Sequence, residues 1–258
     1  MREFLDDAHA HRDDGYGRAQ AHVKRELPKR FYKAATVQSL EGGYAVGLDG
    51  RFPRTPGMKH VVVPSEVLAE EMAREWSAQG EFIDPQTMPL VRLVNSGVEA
   101  GEESKQALRD EIVKYAGNDQ LLYRADAPES LVQRQEREWD AILVKLARHF
   151  DIAFQPTVGI VHQAQPQPTL ARLAAVLADE PLLPLTAMNS IMSITGSGLL
   201  AIAVRHGLIT AEDAWAAAHV DEDHQISLWG EVEEITTRRA KRRSEFDAAV
   251  RVLDLLSR

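Results

Sequence analysis

The segment from Ser65 to Leu90 constrains the fold most, because it predicts a helix followed directly by a proline-containing stretch. Ser65 can cap the start of this helix, and Gly80 can end it in a left-handed turn. Two prolines and few charges predict that Phe82 to Leu90 forms an ordered, extended crossing. The segment holds no nucleophile, phosphate-binding loop or metal cluster, so it is typical of a scaffold element. The helix prediction rests on apolar residues at helical spacing, namely Val67, Leu68, Met72 and Trp76.

Length and composition are those of an ordinary globular protein. The chain has 258 residues, of which 44% are hydrophobic and 27% charged, and it can form one large domain or two smaller ones. No apolar run reaches the length that crosses a bilayer, so no membrane insertion is expected. The first 30 residues are polar and lack the apolar centre of a secretory signal. The absence of cysteine excludes disulfides and thiolate metal sites.

Charge is unevenly distributed along this acidic chain. The net charge of −9 argues against nucleic-acid binding, which requires concentrated Lys and Arg. Eight acidic residues and no Lys or Arg lie between His206 and Thr237, and a basic run from Arg238 to Arg243 follows. Such a pattern is typical of solvated helix faces with opposite charges on neighbouring turns. The alternative is an acidic docking surface for a basic partner.

The hydrophobic pattern predicts an α+β fold, with a small β-rich N-terminal domain followed by a mostly α-helical C-terminal domain. Residues 1–28 contain few apolar residues and are expected to form a mobile N-terminal arm. Residues 29–100 are expected to form the β-rich domain, and residues 101–258 the mostly helical one. Strands are predicted at Tyr32–Leu40, Tyr44–Leu48 and Lys59–Val63, with shorter extended pieces at Leu121–Ala125 and Asp151–Val161. Helices are predicted at Glu102–Tyr115, Pro128–Phe150, Leu170–Leu177, Thr186–Arg205, Ala211–Leu228 and Glu231–Leu256.

Two motifs contain residue types found in catalytic or ligand-binding sites. The stretch from Thr195 to Gly198 resembles a phosphate-binding glycine loop, but it lacks the Lys-Ser/Thr pair and no strand precedes it. It lies within an apolar helical stretch, where small residues favour close helix packing. No Gly-x-Ser-x-Gly motif of a serine hydrolase is present.

The acidic cluster from His219 to His224 contains ligand types for a divalent ion. Its two histidines are five residues apart, which on one helix directs them to different sides, whereas metal-binding pairs prefer three or four. A surface acidic turn is the simpler interpretation. A metal-dependent hydrolase that uses the cluster remains the enzymatic alternative.

Three tryptophans lead to different expectations. Trp76 and Trp139 fall on apolar helix faces, which predicts core packing. Trp229 precedes Gly230 at a helix break and follows the acidic cluster. An exposed aromatic beside carboxylates is typical of a protein-docking site, and burial in the core is the alternative.

Residues spread from position 29 to the C-terminus resemble those of the ATP synthase assembly chaperones that act on the alpha subunit of the catalytic head, the ATP-twelve family. One departure is Ala141 after Trp139-Asp140, where the family pattern has proline. The matching residues are Arg30-Phe31-Tyr32-Lys33, Leu48-Asp49-Gly50-Arg51, Thr55-Pro56, Val63-Pro64-Ser65, Leu68-Ala69, Glu75-Trp76, Gln79-Gly80, Met88-Pro89-Leu90, Tyr123-Arg124-Ala125, Gln135, Trp139-Asp140, Gln225, Trp229-Gly230 and Glu233.

The resemblance implies a chaperone that binds the unassembled alpha subunit of the F-type ATP synthase head and prevents its aggregation until the beta subunit replaces it. It implies partner binding through Glu222, with Gln225, Trp229 and Glu233 in support. We expect no catalysis, no cofactor and no metal, a monomeric state, and a location in the bacterial cytoplasm or the mitochondrial matrix. An adaptor for another complex is a further alternative.

Overall fold

The computed structural model describes residues 27–230 and 233–257. The described chain is a mixed but helix-rich fold with few strands. The predicted N-terminal arm lies outside the described residues, apart from residues 27 and 28. Among the residues described, no helix is both long and apolar enough to cross a membrane.

The strands form two small sheets. An antiparallel hairpin pairs β1 (Ala35–Leu40) with β2 (Gly43–Leu48), and a parallel pair joins β3 (Tyr123–Arg124) to β4 (Thr157–Val158). The helices are α1 (Glu66–Ser77), α2 (Pro89–Ala100), α3 (Lys105–Gly117), α4 (Glu129–Gln135), α5 (Ala141–Phe150), α6 (Gln167–Val176), α7 (Leu182–Thr195), α8 (Gly198–Arg205), α9 (Ala211–Ala218), α10 (Val220–Trp229) and α11 (Glu233–Leu256). Short 3-10 turns occupy Pro85–Thr87, Glu102–Ser104 and Gln120–Leu122, and a π-helical turn, Glu136–Asp140, connects α4 to α5.

The chain divides into two compact units. The described part of the first consists of residues 27–31 and 79–84, where the Arg30 N–H donates to the Glu81 carbonyl and the Ile83 N–H to the Pro28 carbonyl. The second unit holds residues 32–78 and 85–257. The predicted division into a β-rich domain over 29–100 and a helical domain over 101–258 is not confirmed and stays a prediction.

The core of the second unit is built around α7. This helix is apolar on nearly every side, as expected of a helix surrounded by others, and α2, α3, α8, α9 and α11 pack against it. Its buried side chains include Leu185, Met188, Ile191 and Met192.

The helix after Ser65 forms as predicted at its start but not at its end. The Ser65 side chain accepts a hydrogen bond from the Leu68 N–H and so caps α1. The helix stops at Ser77, and Gly80 lies outside the positive-φ region, so the predicted left-handed end is wrong.

The predicted extended crossing from Phe82 to Leu90 is also wrong, because α2 already begins at Pro89. Proline suits the first helical position, and the Glu75 carboxylate of α1 accepts hydrogen bonds from the N–H groups of Leu90 and Val91 at 2.9 and 2.8 Å. A side chain from the preceding helix therefore satisfies the free donors at the start of α2.

Two further strand predictions were too long. Within Lys59–Val63 only isolated pairs form, between His60 and Arg54 and between Val63 and Tyr44, and Pro64 then ends the pairing. Within Asp151–Val161 only Thr157–Val158 is a strand.

Two predicted helices are each split in two. The first breaks between α7 and α8, where Gly196 is left-handed with φ 72° and Ser197 caps α8. The second breaks between α9 and α10 at His219, whose ring nitrogen Nδ1 lies 2.7 Å from the Trp215 carbonyl oxygen. The imidazole nitrogen therefore engages the Trp215 carbonyl oxygen, which in a continuous helix would accept a hydrogen bond from the main-chain N–H four residues later.

Candidate functional site

The candidate site lies on α10, and the preceding helix fixes where α10 begins. A capping box between Thr210 and Asp213 starts α9. At its other end the His219 ring stacks on Trp215, with ring centroids 4.1 Å apart. Burial lowers the pKa of His219, so the ring is neutral near pH 7. Val220 and His224 are buried and hold the inner side of α10 in the protein.

The π-helical turn and the end of α4 form hydrogen bonds with the junction of α9 and α10. The indole Nε1–H of Trp139 donates to the Ala217 carbonyl at 2.8 Å, and Trp139 is buried, as predicted. Buried Gln135 accepts from the Ala125 N–H through Oε1 and donates through Nε2 to Asp221 Oδ1, both at 2.8 Å. This side chain therefore joins the end of β3 to the first turn of α10.

Two of the three acids in the first turn of α10 are engaged within the chain. Asp221 accepts from Gln135, and Asp223 forms ion pairs with Arg134 at 3.2 Å and with Arg239. Glu222 differs, because the only ionisable group within salt-bridge distance of it among the described residues is His219, at 3.8 Å. Since that imidazole is neutral, Glu222 has no cationic partner in the described chain. Its side chain is half-buried.

The outer end of α10 is apolar and open to solvent. Trp229 is 82% exposed and Leu228 is 59% exposed, and Gly230 ends the helix with φ 84°. Core burial of Trp229 is therefore wrong. Two adjacent large apolar side chains on a helix end are a feature of protein-binding surfaces.

The structure brings three of the four predicted site residues onto one helix. Glu222, Gln225 and Trp229 are spaced by three and four residues, which places them along one side of α10. Gln225 is exposed, and Glu233 is exposed in the first turn of α11. Sequence reasoning missed Leu228, although its position beside Trp229 at the end of a polar helix is a readable signal. It also missed the engagement of Asp221 and Asp223.

The cluster from His219 to His224 is not arranged as a metal centre. Both histidines are buried, His219 is bonded to a carbonyl, and both aspartates have partners. Within residues 27–230 and 233–257, no three His, Asp or Glu side chains are grouped so that they could hold a metal ion.

Comparison with known proteins relates this scaffold to a family. The profile of the ATP12 chaperone protein matches residues 29–147. Protein atp12, mitochondrial, of Schizosaccharomyces pombe is 23% identical over 218 residues, covering 80% of this chain and 75% of the yeast protein. Two solved structures are more similar. A protein of Agrobacterium tumefaciens is 40% identical with a TM-score of 0.86, over 93% of this chain and 90% of that one. Atp12 from Paracoccus denitrificans is 36% identical with a TM-score of 0.83, over 88% and 98%.

These matches define the class of protein as a chaperone for ATP synthase assembly. The chain belongs to the ATP12 chaperone family, as the resemblance indicated. The expected location, bacterial cytoplasm or mitochondrial matrix, agrees with relatives from bacteria and from a yeast mitochondrion.

Proposed function

We propose that this protein binds the unassembled alpha subunit of the F-type ATP synthase head and holds it until the beta subunit takes its place. The observation that carries the proposal is the surface of α10, on a protein of an ATP synthase assembly family. That surface combines a carboxylate that has no cationic partner in the described chain, Glu222, with exposed apolar residues, Leu228 and Trp229.

The chemistry of this surface suits a protein interface. Trp229 and Leu228 offer apolar area that a partner can bury, and large aromatic residues commonly dominate binding energy. Glu222 and Gln225 offer an acceptor and an amide beside that area. The carboxylate favours a partner surface that carries Lys or Arg. Glu233 extends the acidic character into α11.

Such a role requires no catalysis, and we propose that the protein acts stoichiometrically without nucleotide or metal. A free alpha subunit would expose the apolar surface that it buries against beta, and large exposed patches aggregate. A complementary surface of modest affinity is enough to cover that patch, because the final neighbour must be able to displace the chaperone.

We further propose a monomeric chaperone with a domain boundary near residue 100. Light scattering on a size-exclusion column gives the molar mass and so tests the monomeric state. Limited proteolysis tests the domain boundary, with cleavage expected near Gly101 and two resistant fragments. A single resistant core over both parts would contradict the proposed boundary.

The hydrolase alternative at residues 219–224 is less favoured, because its potential ligands are engaged in the fold. Asp223 has two arginine partners, and the His219 ring is bonded to Trp215 and stacked on it.

An adaptor for another complex would use the same α10 surface with a different partner. The identity of the captured protein therefore distinguishes an adaptor from an alpha-subunit chaperone.

The test is co-purification of the tagged chain with alpha subunit from the same cell, followed by an aggregation assay with purified alpha. We expect an alpha-containing complex, and protection that saturates near one chaperone per alpha with EDTA present and no ATP. Added beta subunit should release the chaperone. Protection far below one-to-one, or dependence on ATP, would refute the stoichiometric role, and capture of a different subunit would favour the adaptor.

A further inference from the structure

A second surface of the molecule, distant in sequence from α10, has the properties of a peptide-binding groove. It is a cavity of about 570 Å³ between α3, α6 and the connector before α6. Its lining includes the apolar residues Val113 and Leu170 together with Arg109, Lys114 and His162. None of these residues belongs to the α10 surface.

The two cations of the groove have no carboxylate partner in the described residues. The Arg109 guanidinium donates to the Ala178 carbonyl and to Gln106 Oε1, and its buried Nε–H has no acceptor there. Lys114 is exposed and forms no ion pair within residues 27–230 and 233–257. The one carboxylate that lines the groove, Asp110, accepts from Gln106 instead. Charge complementarity therefore favours a carboxylate-bearing occupant.

An apolar lip leads directly into this groove. Val158, Ile160 and Val161 are 65, 96 and 75% exposed, and His162 follows them. Both ends of the lip are anchored. The Gly159 N–H donates to the Arg124 carbonyl at 2.8 Å, and the buried Gln165 amide both accepts from the Gln155 N–H and donates to its carbonyl, at 2.9 Å each. An exposed apolar segment fixed at both ends suits binding better than a loose loop does.

The length of the groove distinguishes a polypeptide from a small anion. Its lining on α3 runs from Gln106 to Gly117, which is about 16 Å along the helix axis at 1.5 Å per residue. About five residues of extended chain span that distance. Arg109 and Lys114 are five residues apart on α3, which separates them by about 7.5 Å along the helix axis and by about 140° around it, so the two cations approach the groove from different sides. An acidic segment lying in the groove therefore has a cation on either side of it.

We propose that this groove and its lip bind an extended segment of a partner protein that carries acidic residues followed by apolar residues. The acidic side chains lie against Arg109 and Lys114, and the apolar residues cover Ile160 and Val161. The inference goes beyond the proposed alpha-subunit contact on α10 and does not depend on it.

The experiment uses the full chain and a fluorescein-labelled peptide, Gly-Val-Asp-Thr-Glu-Val-Ile-Gly, in fluorescence anisotropy titrations. Two control peptides replace either the acids by Asn and Gln or the Val-Ile pair by Ser-Ser. We expect saturable binding of the first peptide, with each control weaker by about fivefold or more, since each removes one class of contact. Equal binding of the amide control, or no saturable binding of the acidic peptide, would overturn the proposal. Displacement by free glutarate at the peptide's own concentration would identify a small-carboxylate site and would also overturn it.

Variants locate the binding. Lys114→Glu and the double change Ile160→Ser with Val161→Ser should each weaken the acidic peptide by about fivefold or more while leaving Tm unchanged, because these side chains are exposed. The matched controls Lys145→Glu and Met58→Ser change exposed residues outside the groove and should bind normally. Glu222→Lys should also bind the peptide normally, so failure of the alpha-subunit proposal and failure of this one are separable. Normal binding by the groove variants would overturn the assignment.

Discussion

The side-chain amide of Gln135 donates to the Asp221 carboxylate at 2.8 Å, across 86 residues of sequence. The same amide oxygen accepts from the Ala125 N–H. One buried glutamine thereby sets the position of α10 relative to β3 and engages one oxygen of the exposed Asp221. Glu222, the next residue, is the acid of this turn that has no cationic partner in the described chain.

Replacing Gln135 by Ala should destabilise the fold and weaken partner binding together. It leaves the part-buried Ala125 N–H without its acceptor, whereas the exposed Asp221 carboxylate can bond to water instead. A buried donor that loses its hydrogen bond costs about 1–3 kcal/mol, and a loss at the lower end is expected here. Urea unfolding measures the stability. The matched control is Gln133→Ala, two residues earlier, which removes only an exposed bond to Glu129 and should change stability by less than about 0.5 kcal/mol. Equal effects of the two changes would contradict the role of Gln135.

Trp139 and Trp76 should differ in how much stability they contribute, although the sequence predicts core packing for both. Trp139 is buried and donates to the Ala217 carbonyl. Trp76 is only half-buried and packs edge-on against Tyr32, with ring centroids 5.8 Å apart, so the prediction of a buried Trp76 is wrong. We expect Trp139→Ala to cost about 3–5 kcal/mol and Trp76→Ala clearly less. Denaturant titration compares them, and a larger loss for Trp76→Ala would reverse the assignment.

The sequence could predict most helices, the first hairpin and the burial of Trp139, because periodicity and turn residues are local signals. It could not predict where long helices break. The break at Ser197 depends on Asp119, which is far away in sequence and accepts from the Ser197 hydroxyl and the Leu199 N–H. The break at His219 depends on the hydrogen bond between its own ring and the Trp215 carbonyl oxygen. The start of α2 depends on a carboxylate from α1.

The candidate site divides in the same way. Glu222, Gln225, Trp229 and Glu233 could be proposed from the resemblance alone. The sequence could not show that Asp221 and Asp223 have partners. Gln135, Arg134 and Arg239 reach these two aspartates only in the folded chain. The sequence allows Trp229 to be either exposed at a docking site or buried in the core, and helix geometry alone does not decide between these two positions.

Gly198→Ala should be strongly destabilising, because the backbone of α3 lies against this glycine. An added Cβ would lie 2.4 Å from the Ile112 carbonyl oxygen and 2.7 Å from the Ala116 nitrogen, and neither main-chain atom can move without shifting the helix. Overpacking of this kind costs about 1–3 kcal/mol or more. The control Gly80→Ala faces open space at ordinary φ and should be neutral or stabilise by up to about 1 kcal/mol. Thermal unfolding compares the two, and an unchanged Tm for Gly198→Ala would disprove the close approach.

Asp119 should make stability fall as pH rises from about 4 to about 7. Burial raises the pKa of this carboxyl to about 7 in the folded protein, whereas an unfolded aspartate has a pKa near 3.9. Between these values the folded state holds a proton that the unfolded state has lost, so unfolding becomes easier by up to about 1.4 kcal/mol per pH unit. Asp119→Asn removes this titration. Urea unfolding across this range measures the free energy of unfolding of both proteins. The wild-type value minus the variant value should decrease as pH rises. A difference that does not change with pH would contradict the raised pKa.

Glu222→Lys should separate binding from folding at the α10 surface. The carboxylate has no cationic partner in the described chain and is half-buried at the helix start, so its loss should change stability by no more than about 1 kcal/mol. A Lys here would oppose a basic partner surface and should weaken capture of the alpha subunit markedly, while Trp229→Ala should weaken it through lost apolar contact. The matched control is Asp254→Lys, an equal inversion on an exposed position of α11. Titration calorimetry at low and high salt measures the affinities, and the wild-type complex should weaken with salt because exposed charges are screened over about 10 Å at 0.1 M. Alpha-subunit affinity of Glu222→Lys equal to that of Asp254→Lys would move the contact away from α10.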